Sequence, residues 1–251
     1  MAEPVEHLDQ LLAEWRFSPG EVRVREAVGA DGRGLLLLRI DMGTLLMETD
    51  GRPDGDKPEG FDTYHELLES EALLQGDAFT LDEERCREVD REFYQFYHRR
   101  IALLSLKRYS EALRDAEHTL GLMDFSTRHA PSPAWAETHE QYRPFVYFHR
   151  VQAAALVALE ESDAAEAVRV IEEGRRVLQE SPPAGNDDDS AAVHAEEIEE
   201  LRDKLGEMVA AINEHYEVTP SLTDQLAEAI AAEQYERAAR IRDRIDQARK
   251  T

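Results

Sequence analysis

Cysteine is nearly absent. Cys86 is the single one in 251 residues, and one thiol cannot close an internal disulfide, so a disulfide-stapled secreted scaffold is excluded. Long apolar runs are missing as well. No stretch approaches the roughly 20 residues that cross a bilayer, so no membrane contact of that kind is expected. Met1 to Leu12 carries no basic, apolar signal-peptide core, and the expected location is the cytoplasm. Positive charge is scarce too: 29 Lys and Arg stand against 54 Asp and Glu, a formal net charge of −25 at pH 7. Such a surplus repels phosphate polyanions and anionic lipid at long range, so direct DNA binding is not expected beyond a small local basic face.

The signatures of catalysis are also lacking. There is no GxSxG, no GxGxxG after a strand, no nucleophile–base spacing and no HExxH among the nine scattered histidines. Without a second cysteine, zinc finds no recognisable ligand spacing. The acidic loop holding Asp54 and Asp56 fails the EF-hand pattern: Pro58 takes the third ligand position and His65 the place of the bidentate glutamate. It reads as a solvated turn. Cys86, in DEERCRE, could be a thiolate steadied by Arg85 and Arg87 but reads first as a plain helix cysteine. No catalytic, cofactor-binding or metal-ligating residue is therefore named, no cofactor is expected, and the chain reads as a non-enzyme.

What remains is a globular composition, 42% apolar and 33% charged, with a length that suits one large domain or two small ones. Glu21 to Asp50 is the only stretch that reads as sheet: Val22, Val24 and Val28 alternate with polar residues, and GADGRG (29–34) supplies a hairpin turn. Gly43 interrupts the return stretch and marks a bend, with a third strand beyond it. From Thr63 onward the pattern is helical over 63–74, 82–105, 110–122, 142–159, 163–179, 191–217 and a last pair from Leu222 to Lys250. Two interruptions stand out: the Pro-containing 126–142, and SPPAGNDDDS (181–190), which reads as a solvated linker and domain boundary. The fold class expected is mainly α (α+β). Its parts are an N-terminal segment with a β-hairpin (1–62), helical repeats (63–180), the acidic linker (181–190), an amphipathic helix (191–219) and a terminal helical hairpin (220–251).

Phe93 to Asp124 resembles a tetratricopeptide repeat. Tyr109-Ser110-Glu111-Ala112-Leu113 is its centre, followed by Ala116 and Leu120, with Phe96 in the place of the first-helix aromatic. Small residues such as Ala112 and Ala116 let two helices approach closely, and Tyr109 fills the wedge at their turn. Arg100 stands where the family has glycine, and Asp124-Phe125 replaces the closing proline. A weaker copy follows with Ala164 to Val168, offset by 55 residues rather than the family's roughly 34. Two ordinary amphipathic hairpins would give the same pattern. Stacked helix pairs of either kind present grooves that bind peptide segments.

The sharpest signal is LxxxLAxAIxxExYExAAxIRDxI, from Leu222 to Ile245. It resembles the UVR motif, the short helical hairpin of UvrB, UvrC and McsA-type adaptors of the Clp protease. Leu222, Leu226 and Ile230 recur every four residues, and Tyr235, Ala238, Ile241 and Ile245 follow at 3, 3 and 4, one apolar stripe per helix. Ala238 and Ala239 allow close approach, and Arg242 completes the motif. Two helices of about 12 residues bury too little to stand alone, so an apolar face must meet the rest of the chain or a partner. The resemblance implies a protein-contact element whose partner is another UVR hairpin. With LRIDMG…METDGRPDG (38–55), which looks like the N-terminal signature of bacterial UVR-domain proteins, it also implies a bacterial origin.

From Ser221 to Thr251 six acids balance six bases, so the tail is neutral. Arg237, Arg240 and Arg244 share a helical face, read first as intrahelical pairs of Glu233 with Arg237, Glu236 with Arg240 and Arg240 with Asp243. A short heptad stripe of Ile198, Leu201, Leu205, Met208 and Ile212 would suit a homodimer seam or, better, packing against the repeats or the hairpin. The function expected is a cytoplasmic protein–protein adaptor, the hairpin docking one partner and the repeats a second. The alternative is an accessory of nucleotide excision repair that contacts UvrB, UvrC or DNA.

Overall fold

Asp31-Gly32 closes a hairpin in which Gly32 takes φ +87° and donates to the Gly29 carbonyl at 2.9 Å. The flanking strands are β1 (Val24–Val28) and β2 (Gly34–Ile40); a turn at Asp41-Met42 then leads into β3 (Gly43–Glu48). The order is β1-β2-β3, all antiparallel, with Glu26 opposite Leu36 and Leu37 opposite Leu46. The bend expected at Gly43 is thus the start of a third strand. A two-stranded hairpin alone is marginal in water; here a third strand is added, and Leu36, Leu38 and Met47 bury one face of the sheet against Ala102, Leu103, Ala112 and Ala153 of the helices. In this computed structural model, residues 12–184, 188–216, 226, 229, 230 and 234–248 are described. Among them the chain is mainly α with this one sheet.

The helices are α1 (Tyr64–Gln75), α2 (Glu83–Ser105), α3 (Tyr109–His129), α4 (Pro133–Glu140), α5 (Arg143–Glu160), α6 (Ala164–Glu180), α7 (Asp188–Tyr216) and α8 (Tyr235–Ala248). Side-chain caps start several of them: Thr63 accepts from Glu66 N–H, Asp82 from Arg85 N–H and Asp163 from Glu166 N–H. The interruption expected over 126–142 is mostly helix. The third helix runs on to His129, and Ser132 caps a new one by accepting from Trp135 N–H at 3.3 Å. Pro133 takes the first helical position, where its missing N–H costs nothing. Here proline starts a helix instead of breaking one.

The helices pack in series, α2 on α3, α3 on α5, α5 on α6 and α6 on α7. Three-residue turns join α2 to α3 and α5 to α6, folding each pair antiparallel. The two turns are built alike. Lys107 has φ +61° and Ser162 +64°. Arg108 N–H donates to Leu103 O at 2.9 Å, and Asp163 N–H to Ala158 O at 2.8 Å. Every member of this pattern is 55 residues from its counterpart, the offset read from the alanine-rich segments.

The helix after 181–190 does not start a separate body. Ile198, Leu201, Leu205 and Ile212 share one core with Phe148, Val151, Ile171 and Leu178, and Met208 packs against it. The helices on either side of the acidic segment thus share one core, and the heptad stripe packs against its own chain, as the sequence favoured over a homodimer seam.

Candidate interaction sites

The terminal hairpin is held by a small core. Ala229, Ala238 and Ile241 are buried against one another, with Leu226 and Ile245 packed on them. Ala229 has no exposed surface at all, which is how alanine lets two helix backbones close. Gln234 makes the turn: its N–H donates to Ala229 O at 2.7 Å, and its carbonyl accepts from Ala238 N–H at 2.9 Å. The motif residues therefore divide. Leu226, Ala238, Ile241 and Ile245 face inward, whereas Ile230, Tyr235, Ala239 and Arg242 are exposed, Ile230 at 53% and Tyr235 at 68%. Leu222 lies outside the described residues. Placing Ile230 and Tyr235 on the sequence stripes did not place them in the hairpin core, because only one side of each short helix meets the other.

Arg237, Arg240, Arg242 and Arg244 of the hairpin are exposed. Arg240 Nε donates to the Glu236 carbonyl oxygen at 3.2 Å, and Arg237 to the Gln234 side chain at 3.2 Å. Asp243 pairs with Arg242 at 3.4 Å, not with Arg240 as the helix spacing suggested. Glu233 lies outside the described residues.

In the helical array, Phe96, Ala112 and Ala116 are buried, while Tyr109 and Leu120 are half-buried. The pairing of α2 with α3 rests on more than small residues. In α2 the buried positions Glu92, Phe96, Arg99 and Leu103 recur at 4, 3 and 4; in α3 Ala112, Asp115, Thr119 and Leu122 recur at 3, 4 and 3. Charged residues thus sit in register with both apolar stripes, a pattern visible in the sequence itself. Arg99 holds Asp115 through both carboxylate oxygens, at 2.7 and 2.9 Å, and donates to the carbonyls of Glu48 at 3.1 Å and Gly51 at 2.8 Å. That ties the end of the sheet to α2 and α3.

Glu92 accepts from the backbone N–H groups of Tyr64 at 2.7 Å and His65 at 3.1 Å, and pairs with His118 Nε2 at 2.9 Å. Burial pushes its carboxyl up, but His118 and the two N–H groups outweigh that and hold it below the ordinary carboxylate range. The loop after β3, expected to be a solvated turn, is anchored on this helix. Arg52, 3% exposed, donates to Glu88 at 2.8 Å and Gln95 at 3.2 Å, and Asp54 accepts from Gln95 at 2.6 Å. Cys86 is buried, and burial pushes its thiol up, away from thiolate chemistry. Among the described residues no group of His, Cys, Asp or Glu is arranged to hold a metal ion, and no helix is long and apolar enough to cross a membrane.

The class this defines is a series of packed antiparallel helices with a small sheet on its first pair and a separately cored helical hairpin at its end. The hairpin segment is what the comparison finds: the family model described as the UvrB/UvrC motif, UVR, matches residues 217–251. No curated protein and no solved structure matches the chain.

Proposed function

We propose that the chain is a non-catalytic adaptor of a bacterial cytoplasm. Its UVR hairpin docks a helical hairpin of the same motif in a partner, and the array, read as tetratricopeptide-like repeats, docks a second protein. The observation that carries the reading is the outer face of the hairpin. Its internal seam is satisfied by Ala229, Ala238 and Ile241, yet Ile230 and Tyr235 stay 53% and 68% exposed. A large aliphatic and an aromatic side chain on so small a module are typical anchors for a partner. The neutral charge of 221–251 also lets this end approach surfaces that the remaining −25 would repel.

The test is affinity capture with the full chain and quantitative mass spectrometry. Ile230→Asp and Tyr235→Ala change exposed positions, so the fold should stand while captured partners carrying the same motif are lost. An unchanged set of partners would overturn the reading. The exposed arginines of α8 favour a second reading, an excision-repair accessory touching DNA. It requires DNA affinity that falls steeply with salt, and no binding at low salt removes it.

A further inference from the structure

A cavity of about 640 Å³ opens between α2, α3, α4 and α5, within the size range of small-molecule sites. Six aromatic side chains line it: Phe93, Tyr94, Tyr97, Trp135, Tyr142 and Phe145. Four of them, Tyr94, Tyr97, Tyr142 and Phe145, are among the large apolar residues the chain leaves exposed. Arg100, 1% exposed, also lines it.

No carboxylate among the described residues hydrogen-bonds this guanidinium. Nε donates to His149 Nδ1 at 3.2 Å and Nη1 to Thr119 Oγ1 at 2.9 Å, while Nη2 has no acceptor among the described residues. Both acceptors are neutral: burial, then the charge of Arg100, hold His149 down to about 3. Burial pulls Arg100 itself to about 10, so it remains a cation at neutral pH. The nearby carboxylate of Asp115 is held by Arg99 through both oxygens. Asp90, on the cavity wall, is paired with His139 at 2.9 Å. Packing alone does not demand an arginine here. The counterpart 55 residues later, in the second helix pair, is the fully buried Ala155. Asp115 attracts Arg100 only through space, and a buried cation with no carboxylate bonded to it is costly; an incoming carboxylate would offset that cost.

We propose that this cavity binds a small aromatic carboxylate, its ring between the aromatic walls and its carboxylate on Arg100. One guanidinium with no carboxylate bonded to it fits a monoanion; a phosphate dianion would bring surplus negative charge into an apolar pocket of an already acidic chain. The site is independent of the hairpin and of its partners.

The chain has two tryptophans, so Trp15→Phe leaves Trp135, on the cavity wall, as the sole fluorescent indole. This full-length variant is titrated with 3-phenylpropionate, with its neutral amide 3-phenylpropionamide, and with acetate and inorganic phosphate. The carboxylate should change Trp135 emission saturably, the amide should bind at least roughly tenfold more weakly, and acetate and phosphate should do nothing. Arg100→Met should weaken 3-phenylpropionate by a similar factor, and Tyr97→Ser, at a 38% exposed wall position, by a lesser one. Circular dichroism checks that each variant is folded; should Arg100→Met not fold, the amide and Tyr97→Ser decide. Equal affinity for acid and amide, phosphate binding as tight as the carboxylate, undiminished binding by folded Arg100→Met, or no saturable change at millimolar 3-phenylpropionate would each overturn the proposal.

Discussion

Arg99 and Arg100 are adjacent in the chain, both are 1% exposed, and they are treated in opposite ways. The first is matched by Asp115 and two backbone carbonyls; the second leans on a histidine and a threonine. Because His149 must stay neutral to accept from Arg100, stability depends on pH. The unfolded chain takes up this proton around the ordinary histidine value of 6.5, the folded chain only near 3. The contribution is therefore whole above about 6.5 and is lost as pH falls, by up to about 1.4 kcal/mol per pH unit. Burial also lowers His65 and His139, which tilt stability the same way. His149→Asn keeps an acceptor for Arg100 and removes the titration. It should make the urea midpoint fall less between pH 7 and about pH 5 than in the unsubstituted chain. An equally steep fall would mean His149 is not the buried neutral group described.

At the scale of elements, the two helix pairs share a turn but not a packing solution. Where α3 has Thr119, α6 has Gly174, and a Cβ there would meet Val151 Cγ2 at 2.5 Å and Cγ1 at 2.7 Å. Val151 is 1% exposed and branched at Cβ, so it cannot turn aside. Gly174→Ala would gain up to about 1 kcal/mol in helix propensity and lose about 1–3 kcal/mol to overpacking. Net destabilisation of up to about 2 kcal/mol is expected in urea unfolding, relieved in part by adding Val151→Ala. A more stable Gly174→Ala chain would mean that α5 and α6 can move apart freely. Most element positions were legible because caps, turns and apolar periodicity act over a few residues. The Asp31-Gly32 turn, the 55-residue offset and the helical stretches read as starting at Thr63, Asp82 and Asp163, where the structure places caps, are all of this kind. The short α4 was missed because Ser132-Pro133 reads as a loop until its capping bond is seen.

For the whole molecule, the described residues divide their buried apolar side chains between the array and a separate cluster in the hairpin. Ile241→Asp should then remove the hairpin's share of the helical signal and leave the main thermal transition in place. Leu205→Ala, in the core that α7 shares with α5 and α6, should weaken that transition by about 2–5 kcal/mol. Circular dichroism melts of both variants test the division. If Ile241→Asp shifts the main transition, the hairpin belongs to the main core.

Composition, periodicity and turn chemistry by themselves determined most element types, the small sheet and the 55-residue offset between the two helix pairs, and the motif residues from Leu222 to Ile245 carried the resemblance to UVR. They did not decide which faces stay open. Tertiary packing covered the heptad stripe of α7, left Ile230 and Tyr235 outside, and anchored the acidic loop through Arg52. It also brought Arg100 to a histidine 49 residues away and Arg99 to a carbonyl 48 residues away. The reason is range. A turn, a cap or a helical stripe is settled by neighbours within a few residues, but the fate of a buried charge depends on partners that only the folded chain brings within hydrogen-bonding distance.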